Sequence, residues 1–157
     1  MLLRRFLFVL AFAGWVGGFT FYAGVVIPAA TELLGSHRAA GFITQAITNP
    51  LNGIALAALA VFFWNVRAGW PVAVARERRG LTGALSFLAA GEAALLALHP
   101  LLDARLDTVT RTIRAGTHFT AWHRAYLWIS TAQWFAALAL LWFMLAVWRR
   151  EDRAGAR

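Results

Sequence analysis

The sequence predicts an all-α membrane protein: a transmembrane four-helix bundle with short amphipathic interfacial helices on its outer side. Three observations carry that expectation. The chain of 157 residues is 61% hydrophobic and 14% aromatic, well beyond the roughly half-apolar make-up of a soluble domain. Four apolar runs reach or approach the roughly 20 residues that cross a hydrocarbon core. The net charge of +8 comes from arginine, with no lysine, and these arginines sit between the apolar runs as they do in the cytoplasmic loops of membrane proteins. The length leaves room for one domain, 1–157.

The first run, 6–29, follows Arg4 and Arg5 and is longer than the apolar region of about 7 to 15 residues in a signal peptide. The arginine pair resembles a twin-arginine export signal, but two basic residues before a span are the ordinary inside anchor. The segment 31–48 predicts a short interfacial helix capped by Ser36, with Phe42, Ile43 and Ile47 between His37, Arg38 and Gln45. Thr48, Asn49 and Pro50 then form a helix start, with Pro in the first turn where its missing N–H costs nothing. The second span is expected over 50–66, with Trp64 and Trp70 at its cytoplasmic interface. Pro71 breaks the basic connection 67–79.

The third span is expected over 81–102 and the fourth over 119–148, followed by a charged tail from Arg149 to Arg153 that is expected to fray. Ten of the fifteen arginines fall at the N-terminus, in the 67–79 connection and in the tail. Arg38, Arg105, Arg111, Arg114 and Arg124 fall on the other side. That bias predicts both termini in the cytoplasm, in a bacterial inner membrane. Helix association should rely on small residues, because lipid is as apolar as leucine. Gly14 with Gly18, Gly53 with Ala57, and Ala90, Gly91 and Ala94 supply low ridges, expected to serve packing inside the bundle ahead of dimerisation.

The polar residues within the spans are the candidate site. Glu92 stands near the centre of the third run, where an ionised carboxylate costs several kcal/mol unless paired or hydrated. His99 and Asp103 lie close to the same helical stripe. In the fourth run His123, Tyr126, Ser130 and Gln133 share less than a quarter turn. Asn49 and Asn52 of the second run, and Thr20 and Tyr22 of the first, reach a comparable depth. Two arrangements fit: a polar pocket or half-channel open outward, with Glu92 at its base and His99 and His123 near its mouth, or a hydrogen-bond network that only orients the helices.

A pocket implies small-molecule or ion binding or transport, or service as an accessory subunit. An alternative is a b-type haem held by His99 and His123 as axial ligands, with Arg124 or Arg38 at its propionates. Another is a purely structural subunit of a larger membrane assembly. The expected partners are the lipid bilayer and a larger membrane complex or a second copy of the chain, and not nucleic acid. With no cysteine, disulfides and thiolate chemistry are excluded. Soft copper ligands are missing, and His118 and His123 do not share a helix face. No phosphate-binding loop, nucleophile elbow or zinc-protease motif occurs, so hydrolytic and kinase chemistry have no foothold.

The stretches FTFYAGVVIPAATELLGSH, FITQAITNPLN, LHPLLDARLD and HFTAWHRAYLWISTAQW together resemble a group of uncharacterised bacterial four-helix membrane proteins, over nearly the whole chain. The features carrying the likeness are Phe21-Tyr22, Ile27-Pro28, His99-Pro100 and His123-Arg124-x-Tyr126. Four spans with helix-end histidines also give a likeness to copper-resistance D-type and HemJ-type membrane proteins. The resemblance implies the four-span fold and draws attention to His99, His123, Arg124 and Tyr126. It implies no reaction.

Overall fold

A computed structural model describes residues 1–107, 112–113 and 119–156, without the side chains of residues 37, 38, 106, 107, 112 and 113. Four helices are long and apolar enough to cross a membrane, and they form an all-α four-helix bundle of a multi-pass membrane protein. They are α1 (Leu2–Leu34), α2 (His37–Gly69), α3 (Ala75–Asp103) and α4 (Phe119–Gly155). A small antiparallel pairing of Leu106–Asp107 with Thr112–Ile113 lies between α3 and α4.

Helix α1 contains two π-helical turns, Ala13–Gly17 and Tyr22–Val26. The second directly precedes Pro28, which has no N–H to give to the Gly24 carbonyl one turn back. The helix ends at Gly35, whose φ of 66° is left-handed and favours a residue without Cβ. Ser36 then caps α2 by accepting the Ala39 N–H at 3.1 Å.

The capped segment does not end as a separate interfacial helix. It runs through Pro50 into the second span as one helix of 33 residues. The expected start at Thr48–Pro50 fails because Thr48 and Asn52 are buried among the other helices, and a bundle tolerates proline when tertiary packing holds both sides of it. Thr48 donates its hydroxyl to the Thr44 carbonyl at 2.6 Å, so it reinforces the α2 backbone instead of capping a new start.

Helices α3 and α4 form the central seam. Leu81, Leu88, Glu92, Leu95, His99 and Leu102 are the buried stripe of α3. Ser130, Gln133, Ala137, Leu140, Met144, Val147 and Glu151 line the facing stripe of α4. Both stripes alternate steps of three and four residues, the pattern of a coiled-coil seam. Toward the termini the stripes are apolar and close on Phe8 and Phe62, whose rings stand 4.7 Å apart, and on Trp148. Toward the opposite end the same positions carry Glu92, His99, Ser130 and Gln133.

The charged tail is helical, which corrects the expectation of fraying. Helix α4 continues to Gly155 because Glu151 is drawn into the bundle. Its carboxylate accepts two bonds from Arg4, at 2.6 and 2.7 Å, and one from Arg5 at 2.9 Å. Arg5 also reaches Asp152 and lies over the Trp148 ring. Beside this clamp Glu77 accepts the Val74 N–H and the Arg150 guanidinium, joining the start of α3 to the end of α4.

The small-residue seam follows expectation at Gly91 and departs from it elsewhere. A Cβ added at Gly14, Gly18 or Gly53 meets nothing within 4 Å, so these positions are open within the chain. Close packing uses Gly91 against Gln133, as expected, together with Gly80 against the Phe143 ring and Gly69 against Val147. Gly-x-x-x-Gly spacing identifies a smooth face, but the neighbour that needs it is set by tertiary structure.

Candidate functional site

Where polar residues replace leucine in the α3–α4 seam, the bundle encloses a cavity of about 210 Å³ in the half opposite the termini. An apolar cavity of about 150 Å³ in another protein admits benzene, so this one has room for several waters or a small organic molecule. The wall is largely apolar: Trp15, Phe19, Leu95, Phe119, Leu127 and Trp134 contribute from α1, α3 and α4. The two π-helical turns of α1 bring Trp15 and Tyr22 to this wall, and a π-turn re-aims the residues that follow it by one position.

The polar side chains converge on the cavity from three helices. Glu92 is 2% exposed; its Oε2 accepts the Gln133 amide at 3.5 Å, a long bond. Gln133 spends that same Nε2 on the Leu88 carbonyl at 3.1 Å. Tyr126 donates to Asn52 Oδ1 at 3.0 Å, tying α4 to α2. His99 Nε2 lies 3.2 Å from Asp103 Oδ2 without the geometry of a hydrogen bond. Asp103 is about one-third exposed and marks the rim.

Four cavity residues carry a buried atom with no hydrogen-bond partner among the described residues: Tyr22 Oη, Asn52 Nδ2, Glu92 Oε1 and His99 Nε2. Asn52 is 5% exposed and His99 7%. Orphaned buried polar atoms are rare because each carries a desolvation penalty of roughly 1–3 kcal/mol. Four around a single cavity leave donors and acceptors open to water or to a small molecule that enters it. The aliphatic hydroxyls of Thr44, Thr48 and Ser130 are not available in the same way, because they donate to carbonyls one turn back in their own helices.

Of the residues singled out from sequence, Glu92, His99, Asp103, Asn52, His123, Tyr126, Ser130 and Gln133 all reach the cavity wall, with Tyr22. Asn49 and Arg124 do not; both are exposed. Each sits about 100° around its helix from a lining neighbour, Asn49 from Thr48 and Arg124 from His123. Thr20 lies outside the cavity as well, accepting the Trp134 indole N–H at 2.9 Å. Sequence reasoning missed Thr48 and Gln45, which line the wall from α2. Their signal was helical spacing, with Thr48 four residues before Asn52 and Gln45 three before Thr48, obscured by the assumed helix break.

The side chain of Arg38, and all of Arg111, Arg114 and His118, lie outside the described residues. Among the described residues no group of three or more His, Asp and Glu side chains is placed to hold a metal ion. Comparisons with family models, with curated proteins and with solved structures give no match to this chain.

Proposed function

We propose that this chain is a bacterial inner-membrane protein that binds a small amphiphilic molecule in the cavity between α1, α2, α3 and α4, as a carrier or as the ligand-binding subunit of a larger membrane assembly. The arginine bias supports cytoplasmic termini, an orientation in which the cavity lies in the outer half of the bilayer. The observation that carries this reading is the set of unpartnered buried polar atoms on Tyr22, Asn52, Glu92 and His99, facing a largely apolar cavity. A mostly apolar pocket with a few convergent polar groups is the general form of a small-molecule site. A bundle held by polar contacts alone would pair those atoms with each other, as Tyr126 pairs with Asn52.

The test uses Gly41, which lines the cavity and where an added Cβ meets nothing within 4 Å. Gly41→Phe should fill the space without straining α2. We expect purified wild-type protein in detergent to bind members of a panel of small amphiphiles, read by quenching of its tryptophan emission. Gly41→Phe should weaken that binding about tenfold or more while leaving thermal unfolding unchanged. Binding that is indifferent to Gly41→Phe places the ligand elsewhere and defeats the proposal.

His99 and His123 both reach the cavity, which is the observation favouring a b-type haem as a second reading. Against it, Arg124 is exposed off the cavity wall and His99 Nε2 is set against Asp103. Protein expressed with ample haem and purified without a Soret band would eliminate this reading.

A further inference from the structure

We infer that the cavity's ligand is a lipophilic organic cation, with an ammonium-type head at Glu92 and an apolar body against the aromatic wall. This rests on the small-molecule reading above and specifies its charge class. Glu92 is fully enclosed, has one long bond to Gln133 and presents its other oxygen to the cavity unpartnered. A buried carboxylate with a free oxygen is completed most favourably by a positive charge.

Among the described residues no arginine stands beside Glu92 to supply that charge. Arginine is abundant in the chain, yet no described arginine lines the cavity. Arg105 instead lies over the Trp122 ring, with its guanidinium 5.1 Å from the ring centre, and Arg124 is exposed. The second acidic group, Asp103, stands at the rim beside His99, where it favours entry of a cation over an anion.

The wall has matching chemistry. Trp15, Phe19, Tyr22, Phe119, Tyr126 and Trp134 surround the space. Aromatic faces attract organic cations, more strongly once both are desolvated, and at the same time bury an apolar body. The unpartnered groups of Asn52, Tyr22 and His99 could donate to an anion, and they are set against two carboxylates, Glu92 and Asp103.

The experiment compares three probes with the same benzyl body: benzyltrimethylammonium, its neutral carbon isostere neopentylbenzene, and phenylmethanesulfonate. Binding to the full-length protein in detergent is read by tryptophan quenching, with Gly41→Phe protein correcting for partition into micelles. The expected result is a preference of about tenfold or more for the cation over its neutral isostere, with no measurable binding of the sulfonate. Glu92→Gln, which keeps the shape of the side chain, should bring the cation and the neutral probe to within about twofold of each other. Should that variant fold poorly, Asp103→Asn at the rim is expected to weaken the cation several-fold and leave the neutral probe unchanged.

Equal or tighter binding of neopentylbenzene by the wild-type protein, or preference for the sulfonate, overturns the cation assignment and leaves the small-molecule site standing. An unchanged cation preference in well-folded Glu92→Gln also overturns it. If no molecule binds in a manner sensitive to Gly41→Phe, the small-molecule reading itself falls.

Discussion

Glu151→Ala is expected to destabilise the bundle by about 3 kcal/mol, the cost of removing one partner from a buried ion pair. Glu151 is 6% exposed and takes three short bonds from Arg4 and Arg5. Without it two guanidiniums remain packed at the end of the bundle, one of them also donating to the Trp148 carbonyl. The loss should appear as a lower unfolding midpoint in detergent, by heat or by titration with a denaturing detergent. Asp152→Ala is the control: Asp152 also pairs with Arg5, but it is 62% exposed, and exposed pairs contribute under about 1 kcal/mol. Equal effects of the two substitutions would show that α1 and α4 are not held together by a buried clamp.

Gly80→Val should disturb the fold on a similar scale, by about 2–3 kcal/mol. A Cβ at Gly80 falls against Cε2 and Cζ of the Phe143 ring, so α3 and α4 must separate or Phe143 must leave its position. Gly91→Val adds a local effect, because its Cβ falls 2.9 Å from Gln133 Cγ and displaces the side chain that contacts Glu92. Gly14→Ala and Gly18→Ala face open space and should be neutral or slightly stabilising through better helix propensity. The opposite order, with Gly14→Ala the more damaging, would move the close-packed seam to α1 and contradict the placement at α3–α4.

Much of the site was legible because helical periodicity alone brings residues three, four and seven apart to one face. Glu92, His99 and Asp103 shared a stripe on paper and share the cavity wall in the structure; so do His123, Tyr126, Ser130 and Gln133. The failures have one physical origin, which is that local signals do not contain the neighbouring helix. Pro50 reads as a helix start until α2 is held on both sides of it by the bundle. The tail reads as solvated until Arg4 and Arg5 are brought to it from the other end of the chain. Gly14 and Gly18 read as a packing face, but nothing within the chain approaches them.

The absence of cysteine makes a solvent-reachable cavity in one half of the membrane bundle directly measurable. Ser130→Cys places a thiol on the cavity wall, and Ala137→Cys places one two turns further along α4 in the closed apolar core. Each variant in native membranes is treated with a small water-soluble thiosulfonate. Modification at position 130 with protection at position 137 is the predicted result; protection of both thiols would mean that no such cavity exists in the bilayer.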